Sequence, residues 1–595
     1  MKTPFRKLKT VIVPIGRDGS GEAALSLAKT IANEVILVGV VSVYNGESIS
    51  AGTGAARSLR KRLLELSDGP KIRFKSTIIV SDSPWKDLLD VISDEKPQSV
   101  LIEWKDDSLT EGLPVNEVLS NSLVNVLIFR SDLPIHYERT MVAVRGGPHA
   151  ELALKVAMTL KPNHLDVLHI SRSRTSDDAP YKGYLQILNQ LPEINQRFII
   201  TSDVSKTLFQ EADHYDLVIL GATATTSLNG SGIGTVAEQM LRNSKSAVLI
   251  TKIRQEKNPP IFDESAGYRA ISVLVDKWFA ENTFHSDEFA DLDRLMQLKE
   301  SSNLTISLAM PALNEEKTVG NVISTIKTAL MDNVPLIDEM ILIDSNSTDH
   351  TREIAEDLGI KTYIHQQLLP ESGANEGKGE ALWKSLLVTS GDIIAWIDTD
   401  IVNIRPHFVY GIIGPLLLNP SVKFVKGFYR RPLKIGNKMQ AGSGGRVTEL
   451  TARPLLNLFY PELSGVIQPL SGEYAGRRDA LENAVFYSGY GVEIGLLIDI
   501  FEKYSLNAIA QVDLLERIHH NQELEALSKM SFAIIQTVLH KLENRYERSI
   551  IDDVNKTMKL IRYNDGGYYL DVEEIAEKPR PPMISVPSYR EAHHK

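Results

Sequence analysis

The chain has 595 residues, a formal net charge of −11, 43% hydrophobic and 24% charged residues, and no cysteine. That length exceeds one hydrophobic core and predicts roughly three or four domains. The acidic balance excludes a general nucleic-acid binder, and the lack of cysteine excludes disulfides and thiolate chemistry, in keeping with a reducing cytoplasm.

A strand, a glycine-rich turn and an amphipathic helix are predicted at 10–32 (TVIVPIGRDGSGEAALSLAKTIA) and again at 140–160 (TMVAVRGGPHAELALKVAMTL). The leading MKTPFRKLKTVIVPIG holds an apolar run too short for a signal peptide. Each copy closes on another apolar strand, VNVLIFRSD (124–132) and SAVLITKIR (246–254), so an α/β unit is duplicated. In the second copy Gly221, Ala224, Gly234 and Thr235 stand between a strand and a helix. This resembles the universal stress protein signature G-x2-G-x9-G-[ST], with one glycine missing. ATP-binding members end their first strand in an aspartate, where Gly16 and Arg145 stand here. The resemblance implies weak nucleotide binding in the second copy, through backbone amides at a helix start. It implies none in the first, whose loop WKDDSLTEGLPVNEVLSNS lacks the glycines. A packing loop in a degenerate copy is the alternative.

RQEKNPPIFDESAG (254–267) reads as a polar linker and DEFADLDRLMQLKES (287–301) as a helix. From 304 the strand–turn–helix texture returns in LTISLAMPALNEEKTVGNVISTI, followed by strands beginning EMILID at 339 and IIAWID at 393. This alternation predicts a parallel sheet with ligands at the carboxyl ends of its strands. RSIIDDVNKTMKLIRY (548–563) reads as helix and EKPRPPMISVPSYREAHHK as an extended tail with little core. The expected domains are 1–135, 136–255, a linker and helix at 256–302, a third α/β domain at 303–545, and a helix and tail at 546–595. No apolar stretch reaches the roughly 20 residues of a spanning helix, so neither membrane nor nucleic acid is an expected partner.

Chemistry concentrates at the strand ends of the third domain. Asp398 and Asp400 close the strand IIAW, where two near carboxylates are unfavourable unless a cation compensates them. PALNEE (311–316) and DSNSTD (344–349) end the two preceding strands with hydrogen-bonding groups, and EGKGEALW (376–383) sets Lys378 between glycines at a helix start, suited to phosphate. This order resembles the GT-A glycosyltransferases, in which a D-x-D and a divalent metal grip a sugar-nucleotide diphosphate. Hard oxygen ligands suit magnesium, with manganese as the other choice. In GGRVTE, Gly445 lets backbone amides approach an anion, Arg446 offers a planar fork and Thr448 a hydroxyl.

Residues 422–481, YGVEIGLLIDI (490–500) and IAQVDLLERIHHNQEL (509–524) resemble the glucosyl-3-phosphoglycerate synthase family of retaining enzymes. That resemblance covers roughly 300–545 and implies a set of roles. Pro311, Ala312, Leu313, Asn314, Glu315, Ser345, Lys378, Asp398, Thr399 and Leu470 would hold UDP-glucose. Gly445, Arg446, Val447, Thr448 and Asn521 would hold 3-phosphoglycerate. Asp400 and His519 would ligate the metal, and Asp400, Glu493 and Arg517 would be catalytic. The family also implies a cytoplasmic homodimer and a product on the way to a compatible solute. The expected fold class is α/β: a GT-A nucleotide-sugar-binding domain preceded by two universal-stress-protein-like parallel α/β domains. Alternatives are a transferase using GDP-mannose, another sugar nucleotide or another small anionic acceptor, and a nucleotide-sensing stress protein with an inactive transferase half.

Overall fold

Runs of isoleucine, valine and leucine that are too short for helices become the buried strands of two separate sheets. The computed structural model describes residues 7–43, 47–67, 72–131, 137–144, 148–171, 188, 194–222, 233–254, 267–435, 438–442, 445–518, 523–549, 556–564 and 567–593. Contacts divide the chain into two compact units, Met1–Ser265 and Ala266–Lys595.

The first unit is built on β1 (Leu8–Gly16), β2 (Ala32–Ser42), β3 (Arg73–Ser81), β4 (Ser99–Lys105), the short β5 (Ser108–Leu109), β6 (Asn125–Arg130), β7 (Arg139–Ala143), β8 (His164–Ser171), β9 (Asn195–Ile200), β10 (Leu217–Gly221) and β11 (Ala247–Lys252). The sheet order is β3-β2-β1-β4-β6-β11-β10-β7-β8-β9, with β5 on β4. Read inward from either edge, the two copies follow the same order. They meet through the antiparallel pair β6–β11, in which Ile128 faces Ile250. Sequence reading expects two separate domains at 1–135 and 136–255. The structure instead makes them halves of one sheet, because each copy's last strand would otherwise leave an unpaired apolar edge. Gly16 ends β1 as expected, whereas Ala224, Arg145 and the 255–266 part of the linker lie outside the described residues.

The first copy's glycine-rich turn leads into α1 (Glu22–Ile31), whose starting amides are already taken. The Glu103 carboxylate accepts from the N–H groups of Gly21 (2.8 Å) and Ala23 (2.9 Å). In the second copy Gly234 precedes α2 (Thr235–Asn243), which has no side-chain cap.

The second unit starts at α3 (Gly267–Asn282), earlier than the expected 303. Trp278 on this helix is buried and donates its indole N–H to Ile509 O (2.8 Å). Its sheet comprises β12 (Thr283–His285), β13 (Ile306–Ala312), β14 (Glu339–Asp344), β15 (Lys361–Ile364), β16 (Ile393–Trp396), β17 (Phe424–Ile435), β18 (Lys438–Gly442), β19 (Tyr474–Arg477) and β21 (Ile509–Glu516), in the order β12-β21-β17-β19-β16-β13-β14-β15 with β18 on β17. The sheet is mixed rather than all parallel, since β19 runs antiparallel to both β16 and β17. Alternation along each strand fills two apolar layers. Ala309, Ile341 and Trp396 enter one layer, and Leu308, Leu342 and Ala395 the other.

The unit's helices include α4 (Lys378–Val388), α5 (His407–Leu418), α6 (Val492–Tyr504) and α7 (Leu524–Tyr546). A two-residue strand, β20 (Phe486–Tyr487), immediately precedes the turn into α6. Beyond α7, sequence reading expects a helix and a loose tail, and the structure differs on both counts. Residues 557–574 form a two-stranded hairpin, β22 (Thr557–Asn564) and β23 (Gly567–Glu574). Apolar residues fall on both phases of TMKLIRYN, so its period does not decide helix against strand, and the NDGG that follows is the hairpin signal. The tail then pairs β24 (Pro579–Arg580) with β20 and buries Met583, Val586 and Tyr589 in the core, Tyr589 from the terminal helix α8 (Pro587–His593). The Tyr589 hydroxyl donates to Glu482 (2.9 Å) and accepts from Arg478 (3.1 Å). Tyr589→Ala is expected to destabilise this unit by roughly 3–5 kcal/mol, as for other buried aromatics, read as a lowered urea midpoint of its transition.

Candidate active site

Four strand ends of the second unit converge on one edge. After β13 the chain turns through Asn314 at φ 57°, a left-handed conformation that asparagine tolerates. Its N–H donates to Ser347 Oγ (2.9 Å) and its Oδ1 accepts from the Thr348 N–H (2.8 Å). The Glu315 N–H reaches Thr351 Oγ1 (2.8 Å), and the Ser345 N–H returns to Ala312 O (2.8 Å). Asp344, fully buried at the end of β14, fixes the second loop by accepting from the Ser347 hydroxyl (2.5 Å). Pro311, Ala312, Asn314, Glu315 and Ser345 thus lie in two stitched loops, from which Leu313 projects with 54% exposure. Thr399 ties the D-x-D to them by donating to Pro311 O (3.0 Å).

The centre is an ion cluster. Asp398 Oδ1 accepts from Lys378 Nζ (2.5 Å) and Oδ2 from Arg517 Nη1 (3.1 Å). Arg517 also donates to Asp400 (2.5 Å), Glu473 (2.6 Å) and the Tyr429 hydroxyl (3.0 Å). Lys378 Nζ lies 3.3 Å from Glu493, which sits in the first turn of α6. Sequence reading brings Asp398, Asp400, Lys378, Glu493 and Arg517 to one active site, and the structure assembles all five.

It adds residues that sequence reading missed. Glu473 is fully buried just before β19, with Oε2 lacking a partner among the described residues. Lys426 on β17 is buried beneath the cluster, where Nζ donates to Ser471 O (2.6 Å) and lies 4.3 Å from the Tyr474 ring centre. The available signal is a charged side chain inside otherwise apolar or glycine-rich strands, SGEYAG and VKFVKGF.

Electrostatics follow from this burial. Burial alone would raise the Asp398 carboxyl, but Lys378 and Arg517 overcome it and hold that group well below the usual carboxylate range. Burial would likewise favour neutral Lys378, and Asp398 and Glu493 reverse that. At Lys426 burial outweighs the attraction of Glu493, Glu473 and Asp398 and, with the charge of Lys378, pulls its ammonium down to about 7. Burial and the negative charges of Asp400 and Asp398 push Glu315 up. Counted as fully ionised, five carboxylates (Glu315, Asp398, Asp400, Glu473, Glu493) face three cationic groups (Lys378, Lys426, Arg517), a formal excess of two negative charges, while burial draws Lys426, Glu315 and Glu473 toward their neutral forms. That excess suits a divalent cation and opposes a bare diphosphate.

The remaining expected residues distribute unevenly. Arg446 is exposed and Thr448 buried, while Val447 points into the core at 5% exposure and Leu470 packs against it. Val447 and Leu470 therefore support their segments, and their side chains serve packing. Gly445 O accepts from the Glu449 N–H (3.0 Å), starting a helical turn. His519 and Asn521 lie outside the described residues. Among the described residues no three histidine, aspartate or glutamate side chains form a metal cage.

Residues 307–471 match the model of glycosyl transferase family 2. A glucosyl-3-phosphoglycerate synthase of Petrotoga mobilis is 50% identical over 315 residues, covering 53% of this chain and 97% of that protein. The same-named enzyme of Mycolicibacterium smegmatis is 42% identical over 52% of this chain and 98% of its own length. Among solved structures, mannosyl-3-phosphoglycerate synthase from Rubrobacter xylanophilus is 37% identical with a TM-score of 0.48, over 52% of this chain and 97% of that one. Glucosyl-3-phosphoglycerate synthase from Mycobacterium tuberculosis, in complex with Mn2+, UDP and phosphoglyceric acid, is 43% identical with a TM-score of 0.43, over 49% and 94%. Half-identity across nearly the whole of a curated relative is decisive: the chain belongs to the glucosyl-3-phosphoglycerate synthase family.

Proposed function

We propose that this chain transfers glucose, with retention, from UDP-glucose to 3-phosphoglycerate, releasing UDP and glucosyl-3-phosphoglycerate for compatible-solute synthesis. The observation that carries the reading is the meeting of Asp398, Asp400, Lys378 and Arg517 at the strand ends, in a chain half-identical to the named enzymes. The loops at 311–315 and 345 hold the nucleotide, and the Asn314 turn fixes their spacing. Lys378 and Arg517 place positive charge where the diphosphate departs, so their attraction grows as the bond from the sugar to the diphosphate oxygen breaks. Glu493 keeps Lys378 on that side, and buried Glu473 fixes the guanidinium of Arg517. Arg446, with Thr448 and Asn521, receives the carboxylate or phosphate of the acceptor. Asp400 and His519 are the residues that would hold a divalent metal, magnesium or manganese, which supplies Lewis-acid stabilisation to the leaving diphosphate. We read the reaction as cytoplasmic, since both charged substrates would stay on the side of a bilayer where they are made.

A homodimer fits the hairpin β22–β23. Its cross-strand pairs Ile561–Leu570 and Tyr563–Tyr568, with Val572, form one apolar face, and Tyr568 is 81% exposed. Ion pairs Arg562–Glu525 and Lys529–Glu573 tie the ribbon to α7, and a second copy would cover the apolar face it leaves exposed. Leu570→Glu is expected to shift the chain to monomer in light scattering without loss of the fold.

We read the two halves of the fused sheet as universal-stress-protein-like copies, of which the first has its turn amides taken by Glu103 while the second keeps Gly234 at a helix start that would receive a nucleotide. Calorimetry with ATP is expected to find no site in the first copy, where Glu103 occupies the turn amides.

The deciding experiment is a panel of UDP-glucose, GDP-mannose and other donors against 3-phosphoglycerate and other small acids, with and without divalent metal, scored by nucleotide release and product mass. UDP-glucose and 3-phosphoglycerate with metal are expected to give the fastest turnover, and preference for GDP-mannose would overturn the donor assignment. Asp400→Ala should lower turnover by about 10²-fold or more with the fold intact. Arg446→Ala should raise the KM for 3-phosphoglycerate about 10- to 100-fold, as loss of a charged hydrogen bond predicts, and leave that for UDP-glucose nearly unchanged. Equal effects on both substrates would remove Arg446 from the acceptor site.

A further inference from the structure

The turn from Tyr487 to Gly491 supports the catalytic cluster from two sides. The Glu380 N–H at the start of α4 donates to Ser488 O (3.0 Å). A Cβ on Gly377 would fall 2.6 Å from that oxygen, and one on Gly379 1.8 Å from Tyr487 O. The segment carrying Lys378 is therefore seated directly on this turn. At its other end Gly491 is the N-cap of α6, whose first turn carries Glu493.

The turn is held by the C-terminal strap. The Ser488 N–H donates to Lys578 O (3.0 Å), and Glu577, 7% exposed, accepts from the Gly489 N–H (3.1 Å). The amides of Tyr490 and Gly491 are directed at the same carboxylate. A Cβ on Gly489 would meet a Glu577 oxygen at 2.4 Å and push the carboxylate off these amides. Such a run of amides at a helix start is an anion nest, filled here by a side chain of the same chain.

We propose that Glu577 is a positioning residue for the transfer: its carboxylate orders the 489–491 amides and so places Glu493 on α6 and Lys378 on α4. The inference rests on the reading of those two residues as parts of the active site. Stability does not account for Glu577. Burial, and then the charge of Glu493, push its carboxyl up to about 7 although the amides favour the ionised form. The other titratable group facing it is Tyr487 on β20, itself pushed up by burial, and α7 contributes the neutral Gln536 and Thr537. A folded-state value above the unfolded one means that stability falls as pH rises through that window, and above about 7 the ionised form is a net liability.

The test is Glu577→Gln in the full-length chain, assayed at pH 8 with UDP-glucose, 3-phosphoglycerate and saturating metal. The expected result is a kcat lower by about 10- to 100-fold, as for a displaced reacting group, with the KM for 3-phosphoglycerate within about threefold. The thermal midpoint should stay unchanged or rise, and Glu577→Gln with Glu493→Gln should lose less than the product of the two single losses. Wild-type kcat in the variant, a kcat loss that tracks a fallen midpoint, or additive losses in the double variant would overturn the proposal. A silent wild type in the same assay would overturn the transferase reading itself.

Discussion

Arg517 is the constraint around which the second unit is arranged. One guanidinium, 5% exposed, receives carboxylates from the loop after β16 and from the start of β19, together with the hydroxyl of Tyr429 on β17. Removing this arginine would leave Glu473 charged and unpaired in a low-dielectric interior, the most unfavourable state available to a buried acid. The planar fork matters as much as the charge, because five donors in fixed directions can meet several acceptors at once where an ammonium cannot. The mixed sheet follows from the same requirement. Only a strand antiparallel to both β16 and β17 brings its beginning, and so Glu473, to the edge where they end.

The backbone around the cluster is cleared for it. A Cβ on Gly472 would lie 2.2 Å from Asp398 Oδ2 and 2.7 Å from Lys378 Nζ, so a side chain here would displace that ion pair. Gly377 and Gly379 do the same for the turn carrying Lys378. The charged groups are held close by glycines that permit approach and by buried partners that fix direction. Neither kind of residue need touch a substrate.

These two roles differ in how visible they are in sequence. The D-x-D, PALNEE and the lysine between glycines are contiguous, so polar residues at the end of an apolar strand announce a site, and the structure brings them together. Glu473, Lys426 and Tyr429 are single residues on buried strands, and nothing in their neighbours says which strand ends they will meet. The duplicated α/β unit was legible from its repeated strand–turn–helix texture. Its fusion into one sheet was not, since pairing between β6 and β11 joins residues separated by more than a hundred positions, and either strand reads equally well as an edge. The tail failed for a similar reason: EKPRPPMISVPSYREAHHK looks extended and polar, and only the partners of Arg580 and Tyr589, far back in the chain, make it core.

The charge excess at the centre constrains the order of events. With carboxylates in formal excess, the cluster opposes a diphosphate arriving alone, and Glu315 stands in the field of Asp400 and Asp398. Burial and the charges of Asp400 and Asp398 raise the Glu315 carboxyl, the signature of an anionic field that positive charge would relieve. On the proposed reading Asp400 and His519 would hold a divalent cation whose charge would offset that repulsion, and Lys378 and Arg517 would answer the charge that develops during transfer. On that reading the carboxylates would serve the binding of metal and nucleotide, and the buried cations the transition state.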